Sequence, residues 1–107
     1  MVNFIIRIAY DEIDSATIDK INTELAKYGV AGALTGDDGK GYYLPPLQYA
    51  CYGDDAITDV RDAVYRIAES IKPGATVIVT TVTNMAWAGL RQVEDNHPAM
   101  AAAKAAQ

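Results

Sequence analysis

Ile57, Val60, Val64, Ile67 and Ile71 recur at helical spacing and stop at Lys72-Pro73-Gly74, and residues 75–83 that follow are β-branched at nearly every position. A long apolar stripe feeding directly into a β-branched strand commits the chain to laying a helix on a sheet. Asp54 or Asp55 stands where this helix needs an N-cap. The chain opens with the same pair of elements in reverse order. Across residues 2–10, Val2, Phe4, Ile6, Ile8 and Tyr10 share one face of a strand, and Asn3, Ile5, Arg7 and Ala9 share the other. That second face is mixed, as expected of a central strand whose back is partly wet. Ser15 can cap a helix over 16–28, with Ile18, Ile21, Leu25 and Tyr28 at helical spacing and Gly29 at the left-handed C-cap position. Residues 30–35 then read as a strand, and 40–52 as a strand interrupted at Pro45-Pro46.

The order β-α-β-β-α-β predicts an α+β, ferredoxin-like fold, an antiparallel sheet with both helices on one face. Residues 1–90 form one domain in this reading, and the alanine-rich stretch 91–107 is expected to be a frayed or disordered tail. A chain of 107 residues buries a core without staples. No apolar run approaches a membrane span, and no basic region or cleavage site precedes the first strand. The expectation is a cytoplasmic protein that starts at Met1 and has no membrane partner. Cys51 is alone, which excludes an internal disulfide, and with His97 as the one histidine a Cys/His zinc site cannot be assembled. No metal ligands are assigned. A net charge of −5 counts against tight nucleic-acid binding by charge alone, because that affinity comes from lysine and arginine on phosphates.

The stretch Thr35-Gly36-Asp37-Asp38-Gly39-Lys40-Gly41 raises a sharper question, because paired carboxylates can do acid–base work or hold a metal. Asp38-Gly39 between two strand-like runs is a hairpin signal, since glycine supplies the positive φ of a tight turn. A turn tip has no wall to exclude water, so the pair reads as the corner of a hairpin. A calcium loop opening at Asp37 would need oxygen ligands where Gly39, Gly41 and Gln48 stand. Lys40-Gly41-Tyr42 opens like an RNA-recognition-motif signature, but Tyr43 replaces its small residue and Pro45-Pro46 breaks the strand.

Other residues carry two readings each. Asp11 ends the first strand; together with Glu12 and Asp14 it can solubilise the loop and favour the next helix's positive end, or it can hold a metal ion beside a phosphate. Arg7 on the helix-free face either pairs with a neighbouring acid or marks a ligand surface. Lys40, Arg66, Lys72 and Arg91 form no basic stripe. Cys51 reads as a buried small apolar group, His97 as exposed, and Trp87 as a cover for one end of the core. No phosphate loop, nucleophile elbow, dinucleotide fingerprint or HExxH occurs.

Three stretches together resemble the GhoS family, the antitoxins of type V toxin–antitoxin systems. They are Phe4-Ile5-Ile6-Arg7-Ile8; the hairpin from Thr35 through Tyr42-Tyr43-Leu44-Pro45 with Gln48-Tyr49 after it; and a β-branched last strand ending near Trp87. The resemblance covers about residues 2–90. It implies a ferredoxin-like fold similar to the CRISPR adaptation nucleases. It also implies a sequence-selective endoribonuclease or RNA-binding antitoxin, which in GhoS acts on the messenger RNA of a small membrane toxin. By analogy with those nucleases, Asp11 occupies the place of a strand-end catalytic aspartate. The expectation that follows is single-stranded RNA on the helix-free face, bound by Asn3 and Arg7, with Asp11 catalytic. No cofactor is expected beyond a divalent ion at Asp11, and the assembly is a monomer or weak homodimer. The alternative, from another class, is a non-enzymatic phage or mobile-element protein that engages a host protein through a sheet face or edge. A small-molecule sensor of this fold is a third reading.

Overall fold

The computed structural model describes residues 2–93. In chain order it contains β1 (Val2–Ala9), α1 (Ser15–Ala26), β2 (Ala33–Thr35), β3 (Gly41–Tyr43), β4 (Gln48–Gly53), α2 (Ile57–Ile71) and β5 (Thr76–Val82). The described residues are α+β, with two helices and antiparallel sheets. Strands β4, β1 and β5 form one sheet in that order, with β1 in the middle, and β2 and β3 form a separate hairpin. The strand expected over 30–35 is therefore broken. Ala31 exchanges both backbone hydrogen bonds with Ala50 of β4, at 3.0 and 2.8 Å, and the chain then leaves the sheet. What draws it away is burial: Leu34 and Leu44 of the hairpin pack with Ala50 and Ile5. The sheet has room for them there because Pro45 and Pro46 supply no backbone donors with which to extend β4. Pro45-Pro46-Leu47 turns the chain back, with the Gln48 N–H donating to Pro45 O at 3.1 Å and Leu47 held at φ +63°.

The alternation of β1 works as read. Phe4, Ile6 and Ile8 are buried under the helices with Ile21, Leu25, Tyr49, Cys51, Val64 and Ala68. Both caps differ from expectation. Asp14, not Ser15, caps α1, its Oδ1 accepting from the Thr17 N–H at 2.8 Å. The first residue of α2 follows Ala56, which makes no side-chain cap bond, so neither Asp54 nor Asp55 takes that role. The end of α1 follows the pattern: Gly29 has φ +74° and the Val30 N–H closes back onto Leu25 O at 3.1 Å. In α2 the fully buried positions are Val64 and Ala68, whereas Ile67 is half-buried at the flank of the core.

Two polar ties fix the layers. The Tyr49 hydroxyl, on the largest fully buried side chain, donates to Asn22 Oδ1 at 2.6 Å and joins β4 to α1. The Tyr10 hydroxyl lies 3.1 Å from Ala68 O, which also accepts from the Lys72 N–H, and 3.0 Å from Lys72 O just past the end of α2. The boundary expected at residue 91 also moves. Arg91 O accepts from the Tyr43 N–H, the Val93 N–H donates to Gly41 O, and Val93 is buried against Ala31 and Ala33. Arg91–Val93 thus belong to the folded body, and the rest of the expected tail, His97 included, lies outside the described residues.

Candidate functional site on the helix-free face

The helix-free face of the sheet is not the open plane that strand alternation alone implies. On that side the rows run Asn3 beside Tyr52 and Val82, then Ile5 beside Ala50 and Thr80, then Arg7 beside Gln48 and Ile78. The hairpin lies over the middle row, where Leu34, Leu44 and Ala50 are buried with Ile5, Tyr42 and Leu90 around them. Asn3 and Arg7 are therefore both exposed on one face but stand on opposite sides of this cover, about 13 Å apart along the strand.

On the Asn3 side a crevice of about 190 Å³ opens. Asn3, Tyr52 and Val82 form its floor, Leu34, Thr35 and Asp37 of the hairpin one wall, and Met85 and Trp87 the other. Trp87 does not cap the core as expected. It is 38% exposed, and its ring stands 6.1 Å from that of Tyr42, tilted by 52°. Thr35 lines this crevice, but its Oγ1 is sealed from solvent, with no hydrogen-bond partner, and is not open to a ligand. An amide, a phenol and an indole can hold a planar polar ring by stacking and by edge hydrogen bonds. The Asp37 carboxylate at the rim repels phosphate, so a nucleotide would enter base first.

The hairpin reading of Asp37–Asp38 is correct, and the two residues do different things. Asp38 organises the turn: its Oδ1 accepts from the Lys40 N–H at 3.0 Å and its Oδ2 from the Tyr42 hydroxyl at 2.5 Å. The Tyr42 bond, with the Lys40 N–H behind it, holds the Asp38 carboxyl below the usual carboxylate range, and the same bond pushes the Tyr42 phenol up. Gly36 N to Lys40 O at 2.8 Å and Gly39 at φ +78° complete the turn.

Asp11 is exposed in the bend after β1, at the end of the strand opposite Asn3. Among the described residues, no group of three or more His, Cys, Asp or Glu side chains converges in a way that could hold a metal ion. Arg7 has no acidic partner among the described residues. The structure thus brings Asn3 into a crevice and leaves Arg7 and Asp11 outside it. Thr35, Tyr52 and Trp87 are site residues that sequence reasoning did not single out. Tyr52 stands opposite Asn3 in the register that the tertiary structure sets, Thr35 reaches the crevice through the fold of the hairpin, and Trp87 through the chain that follows β5. Cys51 is buried beneath the sheet, and burial pushes its thiol up to about 11.

No helix among the described residues is long and apolar enough to cross a membrane. No family model, curated protein or solved structure matches this chain.

Proposed function

We propose that this chain is a ferredoxin-like split βαβ domain that binds single-stranded RNA on its helix-free face, in the manner implied by its resemblance to the GhoS antitoxins. In this reading the Ala31–Ala50 bridge is what remains of the second strand, and β2–β3 is its continuation folded over the sheet. One unpaired base occupies the crevice at Asn3, stacked against Trp87 and hydrogen-bonded by the Asn3 amide. The strand leads from there past the hairpin to Arg7, whose guanidinium takes a backbone phosphate. Asp11, beyond Arg7, is the group proposed for cleavage, either directly or through a divalent ion.

The observation that carries this reading is the crevice itself, which joins an exposed indole, a phenol and an amide in about 190 Å³. That is below the roughly 300–1,000 Å³ of sites that engulf a drug-sized ligand and suits a single ring. With a net charge of −5, binding is weak and salt-sensitive and leans on stacking more than on charge.

The test is anisotropy of labelled single-stranded RNA at low salt, with mapping of new 5′ ends in a cellular transcript pool. Trp87→Ala and Arg7→Glu are expected to lower affinity, and Asp11→Asn to suppress cleavage more than binding. Affinity unchanged in a folded Arg7→Glu or Trp87→Ala protein removes the proposed face. A wild type that neither binds nor cuts RNA replaces this reading with that of a non-enzymatic host-binding protein.

A further inference from the structure

Among the described residues, strand β5 is an edge without charge, proline or bulge. It pairs with β1 on one side, and among the described residues nothing pairs on the other. Natural edges are blunted by lysine, proline, a bulge or a very short strand. Thr-Val-Ile-Val-Thr-Thr-Val contains no charge and no proline. Its register with β1 runs unbroken from Asn3↔Val82 to Ala9↔Thr76, so there is no bulge, and Ala75, Thr83 and Asn84 add no charge at its ends. Exposed apolar side chains stand on both sides of it. Ile78 is 55% exposed on the helix-free face, and Tyr65 is 46% exposed on α2. The phase of α2 places Tyr65: Ala63, Arg66 and Ser70 line grooves against α1, Val64 and Ala68 face the sheet, and Tyr65 is left on the flank away from α1, above the β5 edge.

We propose that β5 pairs antiparallel with β5 of a second copy of this chain, about a two-fold axis at Val79, joining two three-stranded sheets into one of six strands. The sequence of β5 is self-complementary in that register. Thr76 meets Val82 of the partner subunit, Val77 meets Thr81 of the partner subunit, and Ile78 meets Thr80 of the partner subunit, so β-branched residues oppose each other at every position. The faces also match: Ile78 and Thr80 lie on the helix-free side, while Val77 and Val79 pack with the core beneath α2. A chain with net charge −5 repels its own copy over most of its surface, and this neutral edge is where two copies approach without like charges in register. The two-fold closes the assembly, because each copy spends its β5 edge once.

Sedimentation equilibrium of the full chain at rising concentration tests this. The expected result is a mass moving from the 11.5 kDa of one chain toward twice that value. Ile78→Lys combined with Thr80→Lys is expected to hold the protein monomeric while its thermal unfolding stays cooperative. Directly opposed residues in an antiparallel pair lie close enough for a disulfide. Ile78→Cys combined with Thr80→Cys is therefore expected to give a covalent dimer on mild oxidation, which Thr23→Cys on the exposed side of α1 does not. A wild type that stays monomeric throughout overturns the proposal, as does a folded double-lysine variant that still dimerises. Should the lysine variant fail to fold, the absence of the 78–80 cross-link in a dimeric sample overturns it instead.

Discussion

The Tyr42 hydroxyl donates to Asp38 Oδ2 at 2.5 Å across the β2–β3 turn, so an acidic pair that looks like chemistry in the sequence is in part a turn lock. The stability this bond gives has a pH window on both sides. The Asp38 carboxyl is lowered when folded, so its contribution is present above the ordinary carboxylate range and is lost as pH falls through the lowered folded value. The Tyr42 phenol is raised, so its contribution is present below the ordinary phenol range and is lost as pH rises through the folded value. Asp38→Asn is expected to lower Tm at neutral pH, with the difference from wild type shrinking on acidification. Asp37→Ala is expected to move Tm less, since Asp37 makes no comparable turn bond. Thermal melts at neutral and acid pH check both; a larger loss for Asp37→Ala would show the roles reversed.

Gly39 separates backbone strain from packing. A Cβ built there meets no atom within 4 Å, yet the residue sits at φ +78°. The only cost of a side chain is then the left-handed conformation, about 1–2 kcal/mol for an L-residue, greatest when β-branched and small for asparagine. Gly39→Val is expected to lose that amount in urea unfolding, and Gly39→Asn to stay close to wild type.

The depth of α2 can be read by truncation. Val64 is 2% exposed beneath the helix, whereas Ile67 sits at its flank. Val64→Ala is expected to cost about 2–3 kcal/mol although it removes fewer atoms, and Ile67→Ala to cost about as much or less. Denaturant midpoints at constant m value measure this; a far larger loss at Ile67 would mean that the helix is rotated toward it.

Cys51 provides a probe of the core itself. Its thiol is pushed up to about 11 by burial, with the Asp55 carboxylate adding to the rise. The thiolate fraction at neutral pH is accordingly about a hundredfold below that of an ordinary cysteine. Alkylation by iodoacetamide is expected to slow by at least that factor relative to the protein in denaturant. Equal rates would mean that the β4 core is open to solvent.

How much the sequence determines differs by level. The α+β class, both helices, the central position implied for β1 and the turn at Asp38-Gly39 follow from local causes: apolar periodicity, glycine where φ is positive, proline where donors must be absent. Val64, Phe4, Ile6 and Ile8 are core residues because a period of 3.6 or 2 forces them to one side. The caps misled by one or two residues, since Asp14 and Ser15, or Asp54, Asp55 and Ala56, offer neighbouring solutions whose choice depends on how the helix docks. The candidate site was legible only at Asn3. Strand alternation puts Asn3 and Arg7 on one face, but whether that face is open is decided by the β2–β3 hairpin, which gains more by burying Leu34 and Leu44 on Ile5 and Ala50 than by extending the sheet edge. That choice covers the middle of the face, carries Thr35 to the Asn3 crevice and Tyr42 to Trp87, and separates Asn3 from Arg7. It rests in part on contacts of Leu34 and Leu44 with Ile5, a residue of the first strand far back in the chain, and no local pattern encodes which of two burials wins.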